Sequence, residues 1–182
     1  MSLDHHAHDD RIRASQSGVI ARMKADPAAC QRTYATIGTI RAGLACNIQQ
    51  GRFSATTDLG PAMGGDASGP SPGFYARSAI VGCVGIGIKM LAVRERLVFE
   101  TVTVTVETDF DDTALMGLGS NPAGPRHTRV IVNIQSKDDP ERIADVVNRA
   151  LERDPWFLAL RDAHAVDSRL TVRATAEAVD AT

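Results

Sequence analysis

Residues 69–88 read Gly-Pro-Ser-Pro-Gly-Phe-Tyr-Ala-Arg-Ser-Ala-Ile-Val-Gly-Cys-Val-Gly-Ile-Gly-Ile. Pro72 suits the first turn of a helix, where its missing amide hydrogen has no partner to lose, and Ser71 suits the cap before it. From Ala79 to Ile88 the run is apolar nearly all round. A helix hydrophobic on every side is a buried one. It is expected to run to about Arg96, with close approach of another backbone offsetting the helix cost of Gly82, Gly85 and Gly87. These glycines neither form a Gly-x-Gly-x-x-Gly loop nor follow a strand, so no dinucleotide site is expected.

Outward from this helix the pattern changes to strands. Upstream, residues 59–73 are dense in Gly, Pro and Ser, a loop long enough to need a reason. Before it, Tyr34 to Ile40, Leu44 to Ile48 and Arg52 to Thr57 predict an antiparallel meander. Downstream, Thr101 to Val106 alternates Thr and Val strictly, the signature of a half-buried strand, and Arg129 to Gln135 places Val130, Val132 and Ile134 on one face. Asp139-Pro140-Glu141 starts an amphipathic helix through Leu151, Asp154-Pro155 interrupts it, and a short helical turn follows from Trp156 to Leu160. A last strand is expected from Arg169 to Thr175. Strands, a buried helix, two strands, a surface helix and a final strand make an α+β arrangement.

Two parts are expected: an extension over 1–30 and a domain over 31–182. Residues 1 to about 10 lack apolar periodicity and read as a mobile tail, whereas Ile12, Val19, Ile20 and Met23 share one face of a docking helix that Asp26-Pro27 stops. His5, His6 and His8 could hold a metal ion, but no second ligand cluster accompanies them, so no metal and no cofactor are expected.

With 182 residues, 43% hydrophobic and 23% charged, the composition is that of an ordinary globular protein, and a net charge of −2 argues against nucleic-acid binding. The apolar run Ala79 to Val93 is short for a bilayer and contains Lys89, so no membrane span is expected. The N-terminal Met-Ser-Leu-Asp-His-His lacks a basic-then-apolar signal pattern, and a cytoplasmic location is expected. Cys30, Cys46 and Cys83 are widely spaced and odd in number, so any cysteine chemistry belongs to individual thiols.

Taken together, Gly64-Gly65-Asp66, Gly69-Pro70-Ser71-Pro72, Ala79 to Cys83, Arg94-Glu-Arg-Leu97, the alternating strand and Asp109-Phe-Asp-Asp112 resemble the OsmC/Ohr family in order and spacing. The likeness spans roughly residues 31–175. It implies antiparallel sheets wrapped around a buried central helix in an intertwined homodimer, with thiol-dependent sites at the subunit interface. It also implies reduction of organic hydroperoxides through the cysteine matching Cys83, a second cysteine that resolves the sulfenic acid, and an arginine and a glutamate completing the site. The best match for the arginine is Arg41. The second cysteine's place before a proline is held by Asp154, and the glutamate's by Gly73.

Those departures leave Cys83 as a lone thiol. A buried thiol needs a nearby cation or donors before it becomes nucleophilic, and Arg77 on the same helix is a second candidate besides Arg41. Cys46, Cys30 or an external thiol reductant could stand in for the resolving cysteine. Against this stands the plain reading of Cys83 as a small core hydrophobe, of Arg41 as an exposed strand-end residue, and of Asp154 as a turn residue. His127 and His164 have no paired nucleophile or ligand spacing. Two functions follow: a thiol peroxidase acting through Cys83, or a non-catalytic member holding a small hydrophobic ligand at the dimer interface.

Overall fold

The structure, a computed structural model, describes residues 2–173. Helix α1 spans Ser2–Ala25; strands β1 (Ile37–Ile40), β2 (Cys46–Gln50) and β3 (Phe53–Thr57) follow; then helix α2 (Pro72–Arg94), strand β4 (Phe99–Asp109), the single turn α3 (Asp112–Leu115), strand β5 (His127–Ser136), and helices α4 (Pro140–Leu151) and α5 (Pro155–Arg161). β1, β2 and β3 form one antiparallel sheet, and β4 and β5 form another.

The core is built on α2. Ser71 caps the helix by accepting from the Phe74 amide, and Pro72 opens it as expected. Ile80, Val84, Ile88 and Leu91 recur at helical spacing and pack with Leu97, Phe99, Val146 and Ala150. Against them lie Val102, Val104 and Val106 of β4, paired in register with Ile134, Val132 and Val130 of β5. Thr101, Thr103 and Thr105 of β4 face solvent, so the strict alternation separates a wet face from a packed one. Asp139 and Asp154 cap α4 and α5, each accepting two backbone amides.

The loop before α2 is organised by Asp58, which is buried and accepts hydrogen bonds from the Leu59, Asp66 and Ser68 amides and the Ser68 hydroxyl. Those donors hold its carboxyl below the usual range, the Ser68 amide most of all. Gly65 packs so close that a Cβ there would meet the Leu59 carbonyl oxygen at 2.1 Å, so only glycine fits the turn.

Four expectations need correction. The stretch before Asp10 is helical from Ser2, because Asp9 is buried in an ion pair with Lys89 of α2; charge pairing orders a segment that has little apolar periodicity. Side chains, not backbone, approach two of the helix glycines: Val104 lies beside Gly85 and Asp154 beside Gly87, while Gly82 faces open space. At 23 residues, α2 is long and apolar enough to cross a membrane by length and composition, since the helix extends beyond the apolar run of Ala79 to Val93. It is instead packed against β4, α4, α5 and α1. It is also not buried all round, for Phe74 is 51% and Ile86 62% exposed. Finally, residues 169–173 form no strand and leave Leu170 and Val172 exposed; residues 174 and 175 of that expected strand lie outside the described residues.

Candidate functional site

Cys83 stands near the middle of α2 and is half-buried. It lines a cavity of about 370 Å³ whose floor is Ile86, Met90 and Leu91 from the same helix. Ala150, Arg153, Asp154 and Pro155, from the end of α4 and the start of α5, form the opposite wall. The glycine spacing permits this approach: a Cβ on Gly87, one turn after Cys83, would lie 3.7 Å from Asp154 Oδ2.

Asp154 is only 4% exposed. Its Oδ1 accepts from the Trp156 amide at 3.1 Å and the Phe157 amide at 2.8 Å, the N-terminal cap of α5. Its other oxygen, Oδ2, is turned toward the face of α2 that carries Cys83, and the two residues line the same cavity. Burial pushes the Cys83 thiol above its ordinary value, and Asp154 pushes it further by holding its hydrogen and by its negative charge; the Trp156 amide opposes them. Within its own chain, then, Cys83 has an acid for a neighbour where an activated thiol needs a cation. Arg94 and Arg153 line the same cavity, are exposed, and make no described hydrogen bond or ion pair through their guanidinium groups.

The other candidates stand apart from this cavity. Arg41 is exposed and borders a hollow on the three-stranded sheet with Thr39, Asn47 and Gln49. Arg77 donates to the Thr108 hydroxyl at 3.4 Å, and its guanidinium fills the space beside Gly73. Cys46 begins β2 with its sulfur against Gly38, and Cys30 is exposed with its thiol toward the Asp26 carbonyl. None of these four residues lines the cavity of Cys83. His127 contacts Arg129, and His164 is exposed. Among the described residues, no group of His, Cys, Asp and Glu is placed to hold a metal ion.

The family model for OsmC-like proteins matches residues 65–169, more than half of the chain. The chain belongs to the OsmC-like protein family. Solved OsmC-type structures agree in fold. An OsmC-like protein from Mycoplasma pneumoniae superposes with a TM-score of 0.61 at 16% identity, covering 72% of this chain and 89% of that one. An organic hydroperoxide resistance protein from Elizabethkingia anophelis gives 0.55 at 15%, covering 72% and 89%. A further organic hydroperoxide resistance protein, from Legionella pneumophila, gives 0.51 at 17%, covering 72% and 92%. No curated protein matches the chain by sequence.

For an OsmC-like chain the contact between Asp154 and Cys83 is the main feature that sequence reading missed. The Asp-Pro pair after the surface helix was visible as a turn, and the structure adds that Asp154 caps α5. What spacing could not show is that the turn folds back over α2, so that a single carboxylate both caps α5 and lines the cavity of the thiol.

Proposed function

We propose that this OsmC-like protein reduces organic hydroperoxides in the cytoplasm, with Cys83 as the attacking thiol and an external thiol as reductant. The observation that carries this reading is a solvent-reachable sulfur on the wall of an apolar cavity, in a family that includes organic hydroperoxide resistance proteins. In the first step the sulfur attacks the distal peroxide oxygen, the O–O bond breaks, and the alkoxide leaves as alcohol once protonated. Sulfur is oxidised to the sulfenic acid and the peroxide is reduced. One external thiol then displaces water from the sulfenic acid to form a mixed disulfide, and a second releases Cys83.

The working unit on this reading is a homodimer. Phe74, Ile86 and Met90 leave an apolar face of α2 uncovered, and Ile37, Ile40 and Phe53 do the same on the three-stranded sheet. A second copy would cover these surfaces and bring its Arg41 as a further cation for Cys83, beside the Arg94 and Arg153 of its own chain that line the cavity. The test is consumption of cumene hydroperoxide with a dithiol, together with dimedone trapping of Cys83. Turnover that vanishes in Cys83→Ser and weakens in Arg41→Gln is expected; no consumption and no trapped sulfenic acid would end the reading.

A second reading rests on the raised thiol and its acid neighbour. If Cys83 stays protonated in the dimer, the cavity serves as a binding site for a small hydrophobic ligand. Cys83→Ser then retains binding of an apolar fluorescent probe, and a loss of binding on that substitution counts against it.

A further inference from the structure

Asp154 has two oxygens and one evident structural task. Oδ1 takes both amide hydrogens of the α5 cap, while Oδ2 is turned toward Gly87 on the face of α2 that carries Cys83. A buried carboxylate facing a thiol across a shared cavity is more than capping requires, since an exposed Asp, Asn or Ser would cap equally well. The other charged groups nearby are Arg94 from α2 and Arg153 from the α4–α5 turn, both lining the cavity. Lys89 faces the neighbouring hollow, where β4 contributes Glu100, and is paired with Asp9 of α1. Arg161 of α5 is occupied by Glu152 and Asp162.

We propose that Asp154 is the positioning residue of Cys83: it accepts the thiol hydrogen in the resting protein and the sulfenic hydroxyl hydrogen after oxidation. The second half rests on the peroxidase reading above; the first does not. The chemical consequence lies in what happens to the sulfenic acid. Conversion to sulfinic acid requires the sulfenic sulfur to attack a second hydroperoxide, taking its distal oxygen while the alcohol departs, and the deprotonated sulfenate is the better nucleophile. A carboxylate that holds the S–OH proton keeps the sulfur in its less nucleophilic form. The site then waits for an external thiol, whose attack needs the electrophilic S–OH and expels water. Asp154 thus restrains the resting thiol and protects the oxidised one.

Asp154→Asn is the informative substitution, because asparagine caps a helix as well as aspartate and presents an amide donor to the sulfur instead of a negative charge. In a Cys30→Ser, Cys46→Ser background, the rate of Cys83 alkylation by neutral iodoacetamide is measured against pH. The midpoint is expected to fall in Asp154→Asn and the rate at neutral pH to rise several-fold. Under excess cumene hydroperoxide the same variant is expected to accumulate sulfinic acid several-fold faster by intact mass. Asp154→Cys in that background is expected to close a disulfide with Cys83 on treatment with diamide. An unchanged alkylation profile, or no such disulfide, overturns the pairing. If the unsubstituted protein forms neither sulfenic nor sulfinic acid, the peroxidase reading and the oxidised half of this proposal fall together, and the alkylation profile still decides the thiol half.

Discussion

The Lys89 ammonium lies 3.0 Å from the Asp9 carboxylate and 3.4 Å from the Phe99 carbonyl oxygen, on a helix that is otherwise apolar through its middle. Asp9 is 7% exposed, so α1 delivers to α2 the counter-charge that lets a lysine lie among Ile86, Met90 and Phe99. Arg13 adds a hydrogen bond to the Val93 carbonyl at 3.1 Å. Removing one partner of such a pair leaves the other short of a partner. Asp9→Ala is therefore expected to cost about 1–3 kcal/mol, read as a lower urea midpoint with an unchanged slope. Adding Lys89→Met in the same chain should return most of that loss, because a methionine there needs no counter-charge. If the double variant is no more stable than Asp9→Ala alone, the pair is not what ties α1 down.

Ile88 is fully buried between β4 and the α4 helix that carries Val146 and Ala150. Truncation to alanine leaves a void that close-packed neighbours fill only in part. Ile88→Ala is expected to destabilise the protein by about 2–5 kcal/mol. Val166→Ala, at an exposed position in the segment after α5, should stay within about 0.5 kcal/mol. Comparable losses at the two positions would contradict the placement of the core.

Glu95, just past the end of α2, is fastened to α4 by Arg149, whose Nη2 lies 2.6 Å from Glu95 Oε2. The Arg149 guanidinium holds the Glu95 carboxyl below its ordinary value of 4.5, and Asp145 works against it. A carboxyl with a depressed folded-state value contributes stability that is fully present above its unfolded value and disappears as pH falls through the folded one. Glu95→Gln should thus be less stable than the unsubstituted protein at pH 7, with the gap closing as pH drops below 4.5. Thermal melts across that range check it; a gap that widens toward acid has the wrong sign. Raising salt should narrow the gap at pH 7, since both side chains are partly exposed.

Much of this was legible in the chain because the decisive signals are local. The Ser71-Pro72 start, the Thr/Val alternation of β4 and the Asp139-Pro140 start each depend on residues within one or two turns, and each element forms where the pattern places it. The misreadings share the opposite property. Asp9 and Lys89 are eighty residues apart, and no periodicity joins them. Asp154 meets the helix of Cys83 only because α4 folds back on α2. The cavity residues were therefore half visible: the thiol stood out by its match to the family's reactive cysteine, while its acid neighbour looked like a turn residue and nothing more. Arg41 illustrates the same limit from the other side, since it and Cys83 line different hollows of one chain.

The exposed face of α2 leads to the last prediction, which concerns assembly. Ile86 and Met90 border both the hollow beside α1 and the cavity of Cys83, and with Phe74 they leave large apolar side chains in solvent. A homodimer that covers this face makes Ile86 a buried contact. Ile86→Asp would then place an unpaired carboxylate in an apolar interface, at a cost of about 3–5 kcal/mol. Since each 1.4 kcal/mol is tenfold in affinity, association should weaken by about a hundredfold or more. Sedimentation velocity is expected to show twice the chain mass for the unsubstituted protein and a shift toward the chain mass for Ile86→Asp. Val166→Asp, which adds the same charge to an exposed position in the segment after α5, should leave the dimer intact. A chain that sediments as a monomer before any substitution would remove both the dimer and the route by which a second Arg41 could reach Cys83. The site would then be left with the charged groups of its own chain, Asp154, Arg94 and Arg153, around the thiol, and the ligand-binding reading would gain at the expense of the peroxidase.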